Sequence, residues 1–256
     1  MDLGLQDKVV LVTGASRGIG KRIALAFARE GARLCCCARQ AEGLQAAAAE
    51  LADLGAAVEA VAADVTAQEG VEKVLSLARE RFGGIDVLIN NVGGSVWTPF
   101  VELSDEEWTR VFELSFFSAV RVSRAAIPLM KKQGGGAIVN ISSIFGRETG
   151  GPVSYNAAKA ALISLTANLA REVASLNIRV NSVAPGSILF PGGSWERRLK
   201  ADPEGIQAFV ETNIPFGRFG TPEEVAAVVV FLASQQASWV TGACLNVDGG
   251  QSRSNI

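Results

Sequence analysis

Tyr155 and Lys159 are the residues whose types and spacing point most directly to chemistry. Tyr155 is the only tyrosine in the chain, and Lys159 follows it four residues later. Residues with this spacing share one face of a helix, so the phenol and the ammonium are expected side by side. A free tyrosine has a pKa near ~10. A cation ~4 Å away supplies about 4 kcal/mol toward lowering that pKa at an effective dielectric of about 20, which makes the pair a candidate proton donor.

Ser142 and Ser143 end a predicted apolar strand shortly before this pair. Ligands of open α/β sheets bind beyond the carboxyl ends of the strands, where a hydroxyl can donate to a substrate oxygen as negative charge develops. A simple strand-end turn is the alternative interpretation of the two serines. A tyrosine and a lysine at this spacing are more often surface residues, so their placement after this strand carries the interpretation.

The absence of histidine narrows the possible chemistry. A chain without histidine cannot use a Ser-His-Asp or Cys-His nucleophile and lacks the commonest metal ligand. Of the four cysteines, Cys35, Cys36 and Cys37 are consecutive in an apolar run and Cys244 lies far away. No C-x-x-C spacing occurs, so we expect reduced core cysteines and no metal site.

A glycine-rich segment over 13–20, with the sequence TGASRGIG, joins the first predicted strand to the first predicted helix. Gly14, Gly18 and Gly20 allow a tight turn and let the backbone approach a diphosphate closely. The N–H groups at the start of the following helix then face the phosphates. The position between a strand and a helix favours a dinucleotide site over a glycine turn without a ligand.

The end of the second predicted strand bears on the choice between NAD and NADP. An acidic residue there would accept the ribose 2′-hydroxyl of NAD, but this chain has Ala38 and Arg39. Arg39 and Arg17 are suited to bind a 2′-phosphate, so the sequence predicts NADP(H), with NAD(H) possible. The alternative is that both arginines are solvated surface charges.

Short apolar segments alternate with helical ones along the whole chain. The strands are almost continuously apolar, which is typical of a parallel sheet covered on both faces. This β-α-β repetition predicts an α/β, single-domain, Rossmann-type doubly wound parallel sheet of seven strands over 1–256. The predicted strands are 8–13, 33–38, 58–62, 86–90, 137–142, 178–184 and 244–247, and the predicted helices are 17–30, 41–54, 67–82, 104–132, 153–176 and 223–233.

Taken together, these motifs resemble the short-chain dehydrogenase/reductase family, close to its 3-oxoacyl-(acyl carrier protein) reductase-like members. The resemblance covers essentially the whole chain. Besides residues 13–20, it is carried by Asp64-Val65, Asn90-Asn91-Val92-Gly93, Ser142-Ser143, Tyr155-x-x-x-Lys159, Pro185-Gly186 and Asp248-Gly249-Gly250.

The resemblance implies the strand order 3-2-1-4-5-6-7, a homotetramer and a role for each site residue. By it, Tyr155 is the general acid in reduction and the base in oxidation. Lys159 lowers the pKa of Tyr155 and holds the nicotinamide ribose, while Ser143 orients the substrate and Ser142 points away. The implied and predicted cofactor contacts are Gly14, Ser16, Arg17, Gly18, Ile19, Gly20, Arg39, Asp64, Val65, Asn91, Gly93, Tyr155, Lys159, Pro185, Gly186 and Ile188.

Ser115 departs from the family pattern. Many members have an asparagine seven residues after the tryptophan that corresponds to Trp108, where it anchors a water of a proton relay. We hypothesise that Ser115 preserves this relay through an added water, as an uncertain catalytic residue. A smaller departure is Val92, where alanine is usual.

The segment 187–219 is expected to act as a substrate lid with an apolar underside. It contains Phe190, Trp195, Phe209 and Phe216, and Trp97 and Phe100 are expected to line the same cleft; equally, these aromatic residues could serve only to pack the lid.

The sequence therefore predicts an NADP-dependent oxidoreductase that moves a hydride between nicotinamide and a carbonyl or secondary alcohol. The alternatives are an NAD-preferring alcohol dehydrogenase and a catalytically weak nucleotide-binding regulatory protein. A net charge of −2 gives no attraction to nucleic acid or to an anionic membrane. Neither a signal peptide nor a membrane span is predicted, so we expect a cytoplasmic protein that acts on a small molecule.

Overall fold

Seven short apolar segments pair side by side as one parallel sheet in the computed structural model, which describes residues 2–255. Their order is β3-β2-β1-β4-β5-β6-β7, which confirms the predicted topology. The strands are β1 (Val9–Thr13), β2 (Arg33–Ala38), β3 (Val58–Ala62), β4 (Val87–Asn90), β5 (Gly136–Ile141), β6 (Ile178–Pro185) and β7 (Cys244–Val247).

Helices cover both faces of this sheet, because successive strand residues point to opposite sides. The helices are α1 (Gly18–Arg29), α2 (Ala41–Asp53), α3 (Gln68–Phe82), α4 (Asp105–Phe112), α5 (Ser118–Lys132), α6 (Val153–Val173), α7 (Ser194–Ala201), α8 (Pro203–Asn213) and α9 (Pro222–Ala233). On β1, Val10 and Val12 enter the core beneath α1, α2 and α9, whereas Leu11 enters the core beneath α3, α5 and α6.

The consecutive cysteines of β2 follow the same alternation. Cys36 packs in one core, while Cys35 and Cys37 pack in the other, and all three are free and buried. Burial disfavours a thiolate and raises the pKa of both Cys35 and Cys37 to about 12. They are core residues, as predicted.

A buried chain of polar side chains fixes α6 against the middle of the sheet. The Asn90 amide nitrogen donates to Ser123 Oγ at 2.9 Å and to Asn140 Oδ1 at 2.8 Å. The Asn140 amide nitrogen donates in turn to Thr166 Oγ1 at 2.9 Å. Because α6 also carries Tyr155, this network helps to set the position of Tyr155 relative to the ends of β4 and β5.

The prediction of one helix over 104–132 was wrong. A π-helical turn over Glu113–Phe117 interrupts it and separates α4 from α5. A π-turn inserts one extra residue and rotates the following helix, and Ser115 becomes buried within it. The segment 187–219, for which the sequence predicted no helix, contains α7 and α8. Asp202 caps α8 by accepting from the Gly205 N–H at 2.9 Å.

Candidate active site

The carboxyl edge of the sheet opens into a cleft of about 1640 Å³. Every site residue named from the sequence lines this cleft except Gly18 and Ser115. Gly18 lies beneath Phe190 of the segment 187–219, since a Cβ at Gly18 would come within 2.6 Å of Phe190 Cε2. Ser115 is buried and is not part of the cleft lining.

The glycine-rich segment is shaped to accept a phosphate. Gly14 has a φ of +68°, a conformation that side chains disfavour. A Cβ at Gly20 would lie 2.3 Å from the Gly14 carbonyl oxygen, so this close packing requires glycine. No side chain caps the start of α1, and no acid lies in its first turn. Its free N–H groups therefore remain available for an anion at the cleft wall.

Arg17 and Arg39 lie at the end of the cleft beside the carboxyl end of β2. Neither forms an ion pair with any residue of the range 2–255, although Arg17 contacts the Gly192 carbonyl oxygen at 3.4 Å. Asp64 also lines the cleft, and its Oδ1 accepts from the Thr66 N–H at 3.0 Å and from Thr66 Oγ1 at 2.8 Å. Unpaired guanidinium groups make this end suitable for a phosphate.

Lys159 is buried at the floor of the cleft beside Tyr155. Its Nζ donates to the Ile141 carbonyl oxygen at 2.7 Å and lies 5.6 Å from the centroid of the Tyr155 ring. Burial disfavours the ammonium and lowers the pKa of Lys159 to about 8. The predicted neighbours on one helix face are thus brought together.

Ser143 and Ser142 have different partners. A hydrogen bond joins the Ser143 side chain to Tyr155, and Ser143 Oγ also accepts from the Phe145 N–H at 3.2 Å. The Ser142 hydroxyl donates to the Lys159 carbonyl oxygen at 3.2 Å. Ser143 is therefore the serine that shares a polar cluster with the phenol.

The expected lowering of the Tyr155 pKa by Lys159 is wrong for this structure. Burial raises the pKa of Tyr155 to about 12, and the hydrogen bond from Ser143 opposes this rise. The Lys159 ammonium faces the aromatic ring and is engaged by the Ile141 carbonyl, so it does not offset the burial of the hydroxyl. The phenol is consequently held in its neutral form.

Ser115 holds the loop that follows β4. Its Oγ donates to the Gly94 carbonyl oxygen at 2.9 Å and accepts from the Gly94 N–H at 3.1 Å. A Cβ at Gly93 would lie 3.4 Å from Lys159 Nζ and 3.7 Å from Ser115 Oγ. Ser115 therefore positions the Gly93–Gly94 backbone beside the Lys159 ammonium.

Some aromatic residues of the segment 187–219 line the cleft, and one lies on the outer surface. Phe190, Trp195 and Phe209 line the cleft, and the rings of Trp195 and Phe209 stack with centroids 4.8 Å apart. Phe216 is 73% exposed and lies outside the cleft lining. Trp97 lines the cleft as expected. The prediction for Phe100 was wrong, because Phe100 packs edge-on against Trp108 with ring centroids 6.4 Å apart.

Several lining residues escaped the sequence interpretation, notably the chain segment after β7. Gln251 Oε1 accepts from the Ser187 N–H at 2.8 Å, which ties this segment to the loop after β6. Only the turn Asp248-Gly249-Gly250 signalled that the chain reverses toward the cleft. The lining residues that the sequence analysis did not name include Arg147, Glu148, Gln251, Arg253 and Ser254.

Within residues 2–255, no three His, Cys, Asp or Glu side chains are grouped to hold a metal ion. In the same range, no helix has both the length and the apolar character that a membrane crossing requires.

Comparison with known proteins decides the family. A family model described as enoyl-(acyl carrier protein) reductase matches residues 14–252. The 3-oxoacyl-(acyl-carrier-protein) reductase FabG of Thermotoga maritima is 39% identical over 247 residues, which is 96% of this chain and 98% of the relative. The chain belongs to the short-chain dehydrogenase/reductase family. This short-chain dehydrogenase/reductase is accordingly an NAD(P)-dependent oxidoreductase, and the resemblance inferred from its motifs is confirmed.

Two further proteins show the range of relatives of this short-chain dehydrogenase/reductase. The 1,6-dihydroxycyclohexa-2,4-diene-1-carboxylate dehydrogenase of Acinetobacter baylyi is 41% identical over 253 residues, 96% of each chain. A crystal structure of L-sorbose reductase from Gluconobacter frateurii, in complex with NADPH and L-sorbose, superposes with a TM-score of 0.94 at 39% identity, covering 99% of this chain and 100% of the other. Reductases and dehydrogenases are thus both similar to this chain.

Proposed function

We propose that this short-chain dehydrogenase/reductase interconverts a carbonyl compound and a secondary alcohol with NADP(H), and that Tyr155 transfers the proton. One observation carries the proposal: Tyr155, its hydrogen-bonded partner Ser143 and the buried ammonium of Lys159 share one cleft with the uncapped start of α1. That cleft combines a phosphate cradle with a proton donor, the two features that a nicotinamide-dependent reduction needs.

The residues fit a dinucleotide along the length of the cleft. Its diphosphate would lie on Gly14, Ser16, Ile19 and Gly20, where close backbone packing leaves N–H groups unpaired. Asp64 and Val65 would hold the adenine end. The nicotinamide end would be bordered by Lys159 together with Asn91, Gly93, Pro185, Gly186 and Ile188. Gly18 would contribute by supporting the lid, because Phe190 lies directly over it. When bound, the cofactor supplies a hydride in reduction and accepts one in oxidation.

The proton is transferred by side chains of this chain alone. In reduction, the Tyr155 hydroxyl donates its proton to the substrate oxygen as negative charge develops there, while the Ser143 hydroxyl donates a hydrogen bond to the same oxygen. The raised pKa keeps Tyr155 protonated at neutral pH, although it also makes the phenol a weaker acid than a free tyrosine. In the reverse direction, Tyr155 must first lose its proton, and its raised pKa disfavours this loss at neutral pH.

NADP(H) is proposed over NAD(H) because positive charge collects where the 2′-phosphate would lie. Arg17 and Arg39 have no carboxylate partner in residues 2–255, and no side chain caps the start of α2. The L-sorbose reductase of Gluconobacter frateurii, with the same fold, binds NADPH in its crystal. The test is the ratio of kcat/KM for NADPH and NADH, where equal values would contradict the preference.

We propose that the segment 187–219 closes over the substrate as a lid, since its Phe190 already rests on Gly18 of the phosphate loop.

We further propose that the protein forms a homotetramer. Three exposed apolar residues support this proposal: Phe117 and Phe231 on helix faces, and Trp239 in a loop beside the sheet edge.

The activity itself is tested by following the absorbance of NADPH with a panel of aldehydes, ketones and secondary alcohols with NADP. Consumption of NADPH by at least one carbonyl substrate, reversed by the matching alcohol with NADP, supports the proposal. NADPH binding without turnover of any substrate would instead indicate a nucleotide-binding protein and would contradict it.

A further inference from the structure

A stacked arginine lies at the substrate end of the cleft. The Arg198 guanidinium on α7 is 4.6 Å from the centroid of the Trp97 ring and 5.0 Å from that of Trp195. All three side chains line the cleft. Stacking engages the faces of a guanidinium and leaves the N–H groups on its edge free to bind a planar anion.

The protein itself provides no anion for Arg198. Across residues 2–255, no carboxylate lies within 4 Å of its guanidinium. Glu196 is the nearest acid along the helix, but it pairs with Lys200 at 3.2 Å and accepts from the Gly192 N–H at 2.8 Å. Arg198 is thus held in place with its charge unpaired.

Two further arginines extend this positive surface along the cleft. Arg147 donates through one terminal nitrogen to the Cys244 carbonyl oxygen at 2.8 Å, whereas its buried Nε has no partner. Arg253 is exposed, and its side chain forms no ion pair within residues 2–255. Arg147, Arg198 and Arg253 therefore add positive charge to the cleft lining, and no ion pair within residues 2–255 neutralises it.

Glu148 also lines the cleft, and its carboxylate already accepts three hydrogen bonds. Glu148 Oε2 accepts from Ser252 Oγ at 2.9 Å, from the Arg253 N–H at 2.7 Å and from the Ser254 N–H at 3.1 Å. This carboxylate serves to hold the chain segment after β7 across the cleft mouth. It places the Arg253 backbone there and does not neutralise Arg198.

We propose that the substrate of this enzyme is an oxo acid, or the matching hydroxy acid, whose carboxylate is bound by Arg198. The inference rests on the proposed carbonyl reduction and specifies its substrate class. A carboxylate presents two coplanar oxygens, which match the edge of a guanidinium fixed between two aromatic rings. The carbonyl would lie at Ser143 and Tyr155 while the acid group reaches the lid, so Arg198 determines specificity and takes no part in proton transfer.

The test compares short 2-oxo, 3-oxo and 4-oxo carboxylates with the methyl ester of each, using NADPH. Each pair has the same carbonyl but differs in charge. We expect at least one acid to show a kcat/KM about tenfold or more above that of its ester, the size of one charge-assisted hydrogen bond. Equal or higher values for every ester would overturn the inference.

Arg198→Gln then identifies the residue responsible, with Arg197→Gln as the matched control. Arg197 is the neighbouring residue on α7, and its guanidinium contacts the Gly192 carbonyl oxygen outside the cleft lining. We expect Arg198→Gln to lower kcat/KM for the acid about tenfold, mainly through KM, with less than about a twofold change for the ester. Arg197→Gln should change neither value.

The outcomes separate the two proposals. An equal loss for acid and ester in Arg198→Gln would show that Arg198 only supports the lid and would overturn the inference. Turnover of neutral ketones without any oxo acid would overturn the inference and leave carbonyl reduction standing. No turnover of any carbonyl compound would overturn both.

Discussion

At the scale of single residues, burial shifts the pKa values of the two central groups in opposite directions. It raises the pKa of Tyr155 to about 12 and lowers that of Lys159 to about 8. Each shift favours the neutral form of the group. At neutral pH the phenol is therefore protonated, while Lys159 still carries its proton but loses it more readily than an exposed lysine.

This difference predicts the pH dependence of reduction. Lys159 is charged below a pH of about 8 and neutral above it. If its charge assists proton transfer, kcat/KM for carbonyl reduction should fall as the pH rises through about 8, since this parameter reports groups of the free enzyme. Lys159→Arg, which stays charged, should move any remaining activity loss to a higher pH. A wild-type profile that stays flat well beyond pH 8 would contradict the role of this charge.

Ser115 gives a second prediction at this scale. Ser115→Ala removes the hydroxyl that bonds to both the N–H and the carbonyl oxygen of Gly94. The folded position of the loop beside Lys159 should therefore be destabilised by about 1–3 kcal/mol. We expect turnover to fall about tenfold in Ser115→Ala and to be largely retained in Ser115→Asn, whose amide both donates and accepts. Turnover equal to the parent in both variants would show that Ser115 has no catalytic importance.

At the scale of elements, β2 shows how strongly burial on both faces constrains a strand. Its three cysteines are at most 1% exposed, and burial raises the pKa of each thiol. The thiols therefore stay protonated in the folded protein at pH values where those of an unfolded chain ionise.

The sign of the resulting pH effect is fixed. Between 9.0 and about 12 the folded state binds more protons at Cys35 and Cys37 than the unfolded state, so stability contributed below pH 9 is lost as the pH rises through this window. Urea unfolding under reducing conditions at pH 8 and pH 10 measures the loss. Cys35→Ala/Cys37→Ala should start less stable but lose less between the two pH values. An identical loss in parent and variant would contradict the thiol contribution.

The elements that the sequence predicts correctly are those in which one physical rule dominates. The strands β2, β3 and β7 have the predicted bounds. β2 is apolar because both of its faces are covered, whereas β3 and β7 lie at the edges of the sheet and are more exposed. The sequence did not predict α7, because this helix is short and charged and has no side-chain cap that would mark where it begins. The π-turn around Ser115 leaves no periodicity break in the sequence, since one inserted residue within an apolar stretch looks like continuous helix.

The residues of the site likewise fall into two groups: those that a local sequence motif predicts and those that only the fold brings together. Gly14 and Tyr155 can be predicted because motif and neighbouring element lie together in the sequence. Glu148 and the Arg253 backbone meet only through the fold, since the segment after β7 folds back more than a hundred residues to reach Glu148. No local pattern contains that contact, so the substrate end of the cleft needed the structure.

At the scale of the whole molecule, the parallel sheet concentrates function at one edge. The carboxyl ends of the strands meet there, and the lining of the cleft includes Tyr155 and five arginines: Arg17, Arg39, Arg147, Arg198 and Arg253. This lining suits anionic ligands, although the net charge of the chain is only −2.

The exposed apolar surface gives a prediction about assembly. Trp239 is 99% exposed, and Leu245 is exposed on β7 at the open edge of the sheet. Burying such residues between copies would remove apolar area from water. Light scattering should give a mass of four times 26.8 kDa for a homotetramer. A mass of 26.8 kDa at micromolar concentration would contradict the proposed assembly.

The most direct test of the central claim is the activity of Tyr155→Phe, which removes one oxygen and keeps the ring. With NADPH and the best carbonyl substrate at pH 7, we predict that kcat falls by about 10²–10⁴-fold, the usual contribution of a general acid. Binding of NADPH, followed by fluorescence, should change little, because the phosphate cradle is untouched. A variant that reduces the carbonyl compound as fast as the parent would contradict proton transfer by Tyr155.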